Sequence, residues 1–233
     1  MPELPVSIVT GAGSGIGLAV SQQLSQMGHH VVLVGRREGV LKEAAAALAG
    51  PSSVMPCDIS QLAQARSVID QVKADLGRID VLVSNAGWAE LHAIDKTDDE
   101  TLDLSFRINA LGPAAMISQA WPVFTAQKSG CIVCTSSMAT QDPFPGFFAY
   151  ASSKASVNLL VASCAKEGSR HGVRAFAIAP GAVETALLRS MFDQTTLPAD
   201  VCMKPETVAA MITACVRGEH DAENGRVIWM PNA

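Results

Sequence analysis

Apolar residues fall in short dense runs along this chain, and between the runs they recur every three or four positions. The runs cover 6–11, 30–35, 53–56, 80–85, 131–136, 173–179 and 226–230. Most are continuously apolar rather than alternating, as strands of a parallel sheet covered on both faces are. The stretches between them read as helices. In 60–76, Leu62, Ala65, Ile69, Val72 and Leu76 form one apolar stripe, with Ser60 predicted as its N-cap. Thr97 and Glu100 stand in capping-box spacing ahead of a long apolar helix near 98–126, and Pro205 suits the first turn of the last helix. Strict alternation of strand and helix predicts a doubly wound α/β fold with right-handed crossovers. With no repeat, low-complexity tract or linker, 1–233 reads as one domain.

Composition narrows the class. Of 233 residues 48% are hydrophobic and 17% charged, which fits a chain that buries a core rather than a disordered one. A net charge of −5 argues against a dedicated nucleic-acid binder, because phosphate contacts need a basic surface. No apolar run approaches the roughly 20 residues of a membrane-spanning helix, and the start lacks the basic region of a secretory signal. The six cysteines show no disulfide rhythm. Cys131 and Cys134 stand three apart on a strand, so they point to opposite faces and read as core thiols rather than a metal or redox pair. A cytoplasmic location with reduced thiols is expected, and no metal site is. His29, His30, His171 and His220 lie near element ends and read as solvated.

Candidate chemistry sits where strands end. "TGAGSGIG" at 10–17 joins the first strand to the first helix, with Gly11, Gly15 and Gly17 in G-x-x-x-G-x-G spacing. Such a joint lets backbone approach a pyrophosphate, and the helix N-terminus supplies free N–H groups and partial positive charge. After the second strand come Gly35, Arg36 and Arg37. A carboxylate there would accept from the ribose hydroxyls of NAD(H). Arginines instead suit the 2′-phosphate of NADP(H), which is the preferred cofactor, with NAD(H) the weaker alternative. "SNAG" (84–87), "RINALG" (107–112), "CTSS" (134–137), "YASSK" (150–154) and "APGAVET" (179–185) follow in order.

This ordered set resembles the short-chain dehydrogenase/reductase family, from about residue 4 to about 217. The resemblance implies a single-domain Rossmann fold, a seven-stranded parallel sheet of order 3-2-1-4-5-6-7, and a site at the sheet's C-terminal edge. It also implies a homodimer or homotetramer built on the two long helices, including Trp121 and Phe124. By the same resemblance Tyr150 is the general acid/base, Lys154 its electrostatic partner and ribose anchor, and Ser137 the holder of the substrate oxygen. Asn109 holds a water linking Lys154 to solvent. The cofactor contacts implied are Gly11, Ser14, Gly15, Ile16 and Gly17 of the glycine loop, then Arg36 and Arg37. Asp58 and Ile59 lie near the adenine. Asn85, Ala86 and Gly87 line the cleft, and Pro180, Gly181, Val183 and Thr185 meet the nicotinamide end. Three departures stand out: Ser84 where Asn is usual, Ala179 before Pro-Gly, and an ending, "GRVIWMPNA", without the usual glycines.

Tyr150 and Lys154 are four apart, so one helix face carries both. The nearby ammonium and the cofactor's positive nicotinamide are expected to lower the phenol's pKa and favour proton shuttling at neutral pH, and Ala151, Ser152 and Ser153 to leave room for the cofactor. The reaction implied is NADP(H)-dependent interconversion of a carbonyl and an alcohol. A 3-oxoacyl thioester reductase and a non-catalytic NADP-sensing protein are the alternatives. Trp88, Met138, Phe144, Phe147, Met191 and Phe192 are expected around the pocket, His92 near it, and 186–203 as a lid. The scarcity of cations near 138–149 predicts a mostly apolar, uncharged substrate.

Overall fold

A computed structural model describes residues 4–232. The first three residues and Ala233, on which the readings of the chain's start and of the domain bounds partly rest, lie outside the described residues. The elements alternate as the sequence pattern predicts: β1 (Val6–Thr10), α1 (Gly15–Gln26), β2 (His30–Gly35), α2 (Glu38–Ala46), β3 (Ser52–Pro56), α3 (Leu62–Leu76) and β4 (Val81–Ser84). Then come α4 (Asp99–Phe106), α5 (Gly112–Gln127), β5 (Gly130–Thr135), α6 (Phe148–Gly168), β6 (Val173–Pro180), α7 (Ala186–Met191), α8 (Pro205–Arg217) and β7 (Val227–Met230).

The seven strands form one parallel sheet in the order β3-β2-β1-β4-β5-β6-β7. The chain winds outward from β1 to β3, then returns to lay β4 beside β1. At that reversal the connections leaving β1 and β4 go opposite ways and open a crevice above the strand ends. Each face of the sheet has its own core. One packs Ile8, Val32, Leu82 and Ile132 under α3, α5 and α6; the other packs Val9, Leu33, Val83 and Val133 under α1, α2 and α8. Cys131 joins the second core and Cys134 the first, so the C-x-x-C thiols do point apart. Burial pushes both up to about 12, far from the reactive thiolate range.

Local details depart from the sequence expectations for identifiable reasons. Ser60 is buried and does not cap α3; its N–H donates to Asp58 Oδ1 at 3.0 Å, which turns the chain once more before the helix starts at Leu62. At α4 the cap is Asp98, whose carboxylate accepts from Thr101 N–H at 2.8 Å, while Thr97 donates back to Ala93 O. The helix near 98–126 is not continuous. A π-helical turn, Arg107–Leu111, splits it into α4 and α5. Pro113 has no N–H to offer the carbonyl one turn back, so the regular ladder lapses there. Phe124 is fully buried against Gly130 and faces the sheet, not the outside. His29 is buried too, its Nδ1 at 2.6 Å from Ser7 Oγ, and His30 Nε2 meets Ser53 Oγ at 2.8 Å. Both imidazoles are held below their ordinary value by burial, so neither is a solvated end-of-strand histidine.

Candidate active site

The crevice at the β1–β4 reversal is a cleft of about 540 Å³. Its floor begins at the glycine loop. Gly11 (φ +67°) and Gly15 (φ +52°) adopt left-handed backbone conformations that L side chains rarely take. A Cβ on Gly15 would stand 3.0 Å from Thr185 Cγ2, and one on Gly11 3.0 Å from Ala86 Cα. Gly11, Gly13 and Gly15 thus present bare backbone where the loop borders the cleft, beside Ser14 and Ile16. Ser14 takes the N-cap position of α1 without a side-chain cap, so the N–H groups of the first turn are not claimed by it. Gly17 plays another part than predicted: it does not line the cleft, and a Cβ there would meet Gly11 O at 2.2 Å. It lets α1 close onto the loop.

The adjoining wall comes from β2, β3 and β4. Arg36 and Arg37 line the cleft and are both exposed, with Asp58 and Ile59 beside them. Asn85, Ala86 and Gly87 leave β4 and are pinned by Thr10, whose Oγ1 accepts from Asn85 N–H at 2.9 Å and Ala86 N–H at 3.0 Å. Asn85 Nδ2 donates to Thr10 O, and its Oδ1 accepts from Thr135 Oγ1 at 3.2 Å. Asn85 thus ties β1, β4 and β5 together. Its neighbour Ser84, where the resemblance leads one to look for Asn, is buried with its Oγ unpartnered among the described residues.

The far end of the cleft gathers Ser137, Tyr150 and Lys154 with Pro180, Gly181, Val183 and Thr185. Ser137 lies two residues beyond β5 and accepts from Ala139 N–H at 3.1 Å, which starts the turn Met138–Thr140. Tyr150 sits in the first turn of α6 and is hydrogen bonded to Ser137. Lys154, one turn on, is 4% exposed, and its Nζ donates to Thr135 O at 2.7 Å. Burial pushes the Lys154 ammonium down to about 8. Burial likewise raises the Tyr150 phenol above its ordinary value, with the Ser137 hydrogen bond working against it. Among the chain's own groups, then, desolvation outweighs the Ser137 hydrogen bond, and the lowering expected with cofactor does not come from the chain alone. The phenol ring lies 5.1 Å from the ring of Phe147, which packs with Leu91, Met191 and Phe192 and shields it from water.

Asn109 is set behind this end rather than on its surface. The π-helical turn brings it inward, fully buried, where Nδ2 donates to Trp88 O at 2.8 Å and Ser153 Oγ at 3.0 Å. Its Oδ1 accepts from Trp88 N–H at 2.9 Å and keeps one lone pair free. A Cβ on Gly87 would stand 3.4 Å from both Asn109 Oδ1 and Lys154 Nζ, so the two flank one small space. Ser153 belongs to this network, Ala151 packs on Phe147, and Ser152 bonds back to Phe148 O; none of the three borders the cleft. Trp88 and Met191 line it, whereas Phe144 is exposed and Met138 stands away. Sequence reasoning missed Thr10 and Asn158. Asn158 Oδ1 accepts from Ser136 Oγ at 2.6 Å and its Nδ2 donates to Thr140 Oγ1 at 3.1 Å, so α6 grips both sides of Ser137. The only signal for Asn158 was an amide one turn beyond Lys154.

Residues 5–196 match the short chain dehydrogenase family. The chain belongs to that family. An uncharacterised oxidoreductase from Staphylococcus epidermidis is 33% identical over 182 residues, covering 78% of this chain and 79% of that one. A short chain dehydrogenase from Pseudocercospora fijiensis is 37% identical over 188 residues, covering 78% of this chain and 60% of that one. Among solved structures, gox2181 superposes with a TM-score of 0.91 at 26% identity, over 98% of this chain and 95% of that one. This short-chain dehydrogenase is accordingly an oxidoreductase of CH–OH type substrates on a Rossmann-like sheet, from a family that uses NAD(P) cofactors. Among the described residues, no helix is long and apolar enough to cross a membrane.

Proposed function

We propose that the chain is an NADP(H)-dependent carbonyl reductase/alcohol dehydrogenase acting on a small to medium, mostly apolar, uncharged substrate. The observation that carries this reading is the cleft itself. It presents two exposed guanidiniums, Arg36 and Arg37, at the β2 end, and Ser137, Tyr150 and Lys154 together at the other. The glycine loop fits a dinucleotide, because its left-handed glycines leave backbone N–H groups open to a pyrophosphate. Bound cofactor would supply or accept the hydride.

The chain's own residues do the rest. Ser137 Oγ holds the carbonyl oxygen against the Tyr150 hydroxyl, which donates its proton as the alcohol forms. The raised phenol keeps that proton at neutral pH, which suits donation in the direction of reduction. Lys154 is fixed by Thr135 O and turns its remaining donors toward the ribose. A water accepted into the space at Gly87 would donate to the free lone pair of Asn109 Oδ1 and relay protons to Lys154. Asp58 and Ile59 flank the adenine, and Asn85, Ala86 and Gly87 the path between. Residues 186–203 cover the substrate as a lid, and 4–232 act as one unit.

Charge supports the neutral substrate. Leu187, Leu188, Met191 and Trp88 line the reacting end. Arg189 is paired with Glu184, and Lys96 points out beside Asp95. An anion buried there without its own Arg or Lys would be costly.

Following NADPH absorbance with matched neutral and anionic carbonyls tests the reading. Turnover with a kcat/KM preference for the neutral member is expected; a preference for the phosphorylated or carboxylated member overturns the substrate class. Calorimetric titration should show NADP(H) bound more tightly than NAD(H). Arg36→Asp should shift that ratio by about one to two orders of magnitude, the worth of one charge-assisted hydrogen bond.

A further inference from the structure

Beyond β7 the chain carries an asparagine that the reaction does not use. Asn232 Oδ1 accepts from Ala182 N–H at 2.7 Å, and its Nδ2 donates to Ala182 O at 2.9 Å. The amide so engages both backbone groups of one residue, as a neighbouring strand would. Its second N–H donates to Val201 O at 2.9 Å. Just before it, Gly181 N–H donates to Met230 O at 2.9 Å, continuing the pairing of β6 with β7 into this contact.

The two segments joined in this way meet the cleft differently. Pro180, Gly181 and Val183 line its far end, while Val201 lies near the end of the 186–203 segment. The same base is closed by backbone bonds, Met203 N–H to Ala182 O and Glu184 N–H to Met203 O, both 2.9 Å. Arg189 ties the segment to Glu184 just before it, and within the segment donates to Leu197 O at 2.7 Å and Phe192 O at 3.3 Å. The lid is therefore a loop knotted within and stapled at its base, not a free flap. Gly181 makes room for the staple: a Cβ there would stand 2.1 Å from Asn232 Oδ1.

We propose that Asn232 is a positioning residue for the nicotinamide end of the cleft. It holds the turn after β6 and the base of the lid as one piece. It acts on cofactor and substrate through Ala182 and Val201 and touches neither. This rests on reading the cleft as an NADP(H) site. The glycine-poor ending, which the sequence presents as a departure from the family pattern, is here the source of the contact.

Asn232→Ala removes all three bonds. Asn232→Asp keeps the acceptor for Ala182 N–H but sets a carboxylate against two carbonyls, so it should be at least as harmful. For both, the NADPH dissociation constant should rise about tenfold, which is ~1.4 kcal/mol. The kcat/KM for a neutral carbonyl should fall by more than that, and Tm should drop by about 3–6 °C, the same loss read at about 2–4 °C per kcal/mol for a chain of this size. A milder variant, Asn232→Ser, should fall between these and the unmodified chain. A lowered Tm with unchanged NADPH affinity and kcat/KM would reduce Asn232 to a structural staple and overturn the proposal. Limited proteolysis of the protein alone gives a readout independent of cofactor. Cleavage within 193–200 should quicken about tenfold in Asn232→Ala, by the same loss of hydrogen bonds. An unchanged cleavage rate overturns the latch even if the unmodified chain binds no NADPH, an outcome that would separately defeat the NADP(H) reading.

Discussion

Tyr150 is subject to opposing influences: burial among Phe147, Met191 and Phe192 raises its phenol, and the Ser137 hydrogen bond lowers it. Carbonyl reduction needs the phenol protonated and Lys154 charged. Its kcat/KM should hold through neutral pH and fall above about pH 8, where Lys154 gives up its proton. Alcohol oxidation needs the phenolate, which the raised phenol gives up only at higher pH, so its rate should rise at higher pH than that fall. Parallel pH profiles in the two directions check this; a reduction rate that climbs above pH 8 would contradict the assignment. Tyr150→Phe removes only the hydroxyl, so turnover should drop about 10²–10⁴-fold while NADPH binding persists, as stopped-assay kinetics and calorimetry would read. The pair was legible in the sequence because spacing of four on a helix needs no tertiary information. The sign of the phenol's shift was not. It is set by side chains from segments distant in sequence, and burial by distant residues leaves no local signature.

The elements were legible where one kind of force decides them. Most of the seven strands are dense apolar runs, and burial between two helical layers explains both the run and the strand; the edge strands β3 and β7 are only half-buried. The breaks were harder. The turn Arg107–Leu111 depends on Pro113 withholding one donor inside a stretch of otherwise helical pattern, and Asn109 owes its inward position to it. Glycines show the same limit. Gly17 and Gly39 look alike as glycines in the first turns of helices, yet their surroundings are opposite. A Cβ at Gly17 would be 2.2 Å from the backbone oxygen of Gly11, whereas at Gly39 nothing lies within 4 Å. Gly17→Ala should cost ~1–3 kcal/mol by overpacking, lowering Tm by about 2–12 °C in a chain of this size. Gly39→Ala should raise Tm slightly, since it only reduces the freedom of the unfolded chain. Thermal unfolding of the two variants side by side decides; similar shifts of one sign would mean the close approach at Gly17 is not what holds α1 to the loop.

At the scale of the molecule, the outer face of α5 and α6 is the unfinished surface. Trp121 and Leu160 are half-buried there, together lining a groove of about 270 Å³ with Ile117 and Cys164. Leu159, on the same helix, is 72% exposed. Phe124, named from the sequence as an interface residue, cannot take part, because the helical period turns it into the core. A face built on two side-by-side helices can meet its own copy about a twofold axis, each α5–α6 pair filling the other's groove. That arrangement would brace α6, whose first two turns carry Tyr150 and Lys154, so assembly and activity should fall together. Light scattering at micromolar concentration should give a multiple, twofold or fourfold, of the 24.3 kDa chain mass. Leu159→Glu places a charge on that face without disturbing the core, since the side chain is already exposed. It should yield a folded monomer with an unchanged circular dichroism spectrum and a reduced kcat. A monomeric unmodified chain would refute the assembly. An oligomer that Leu159→Glu leaves intact would move the interface elsewhere, away from the helix that holds the reacting residues.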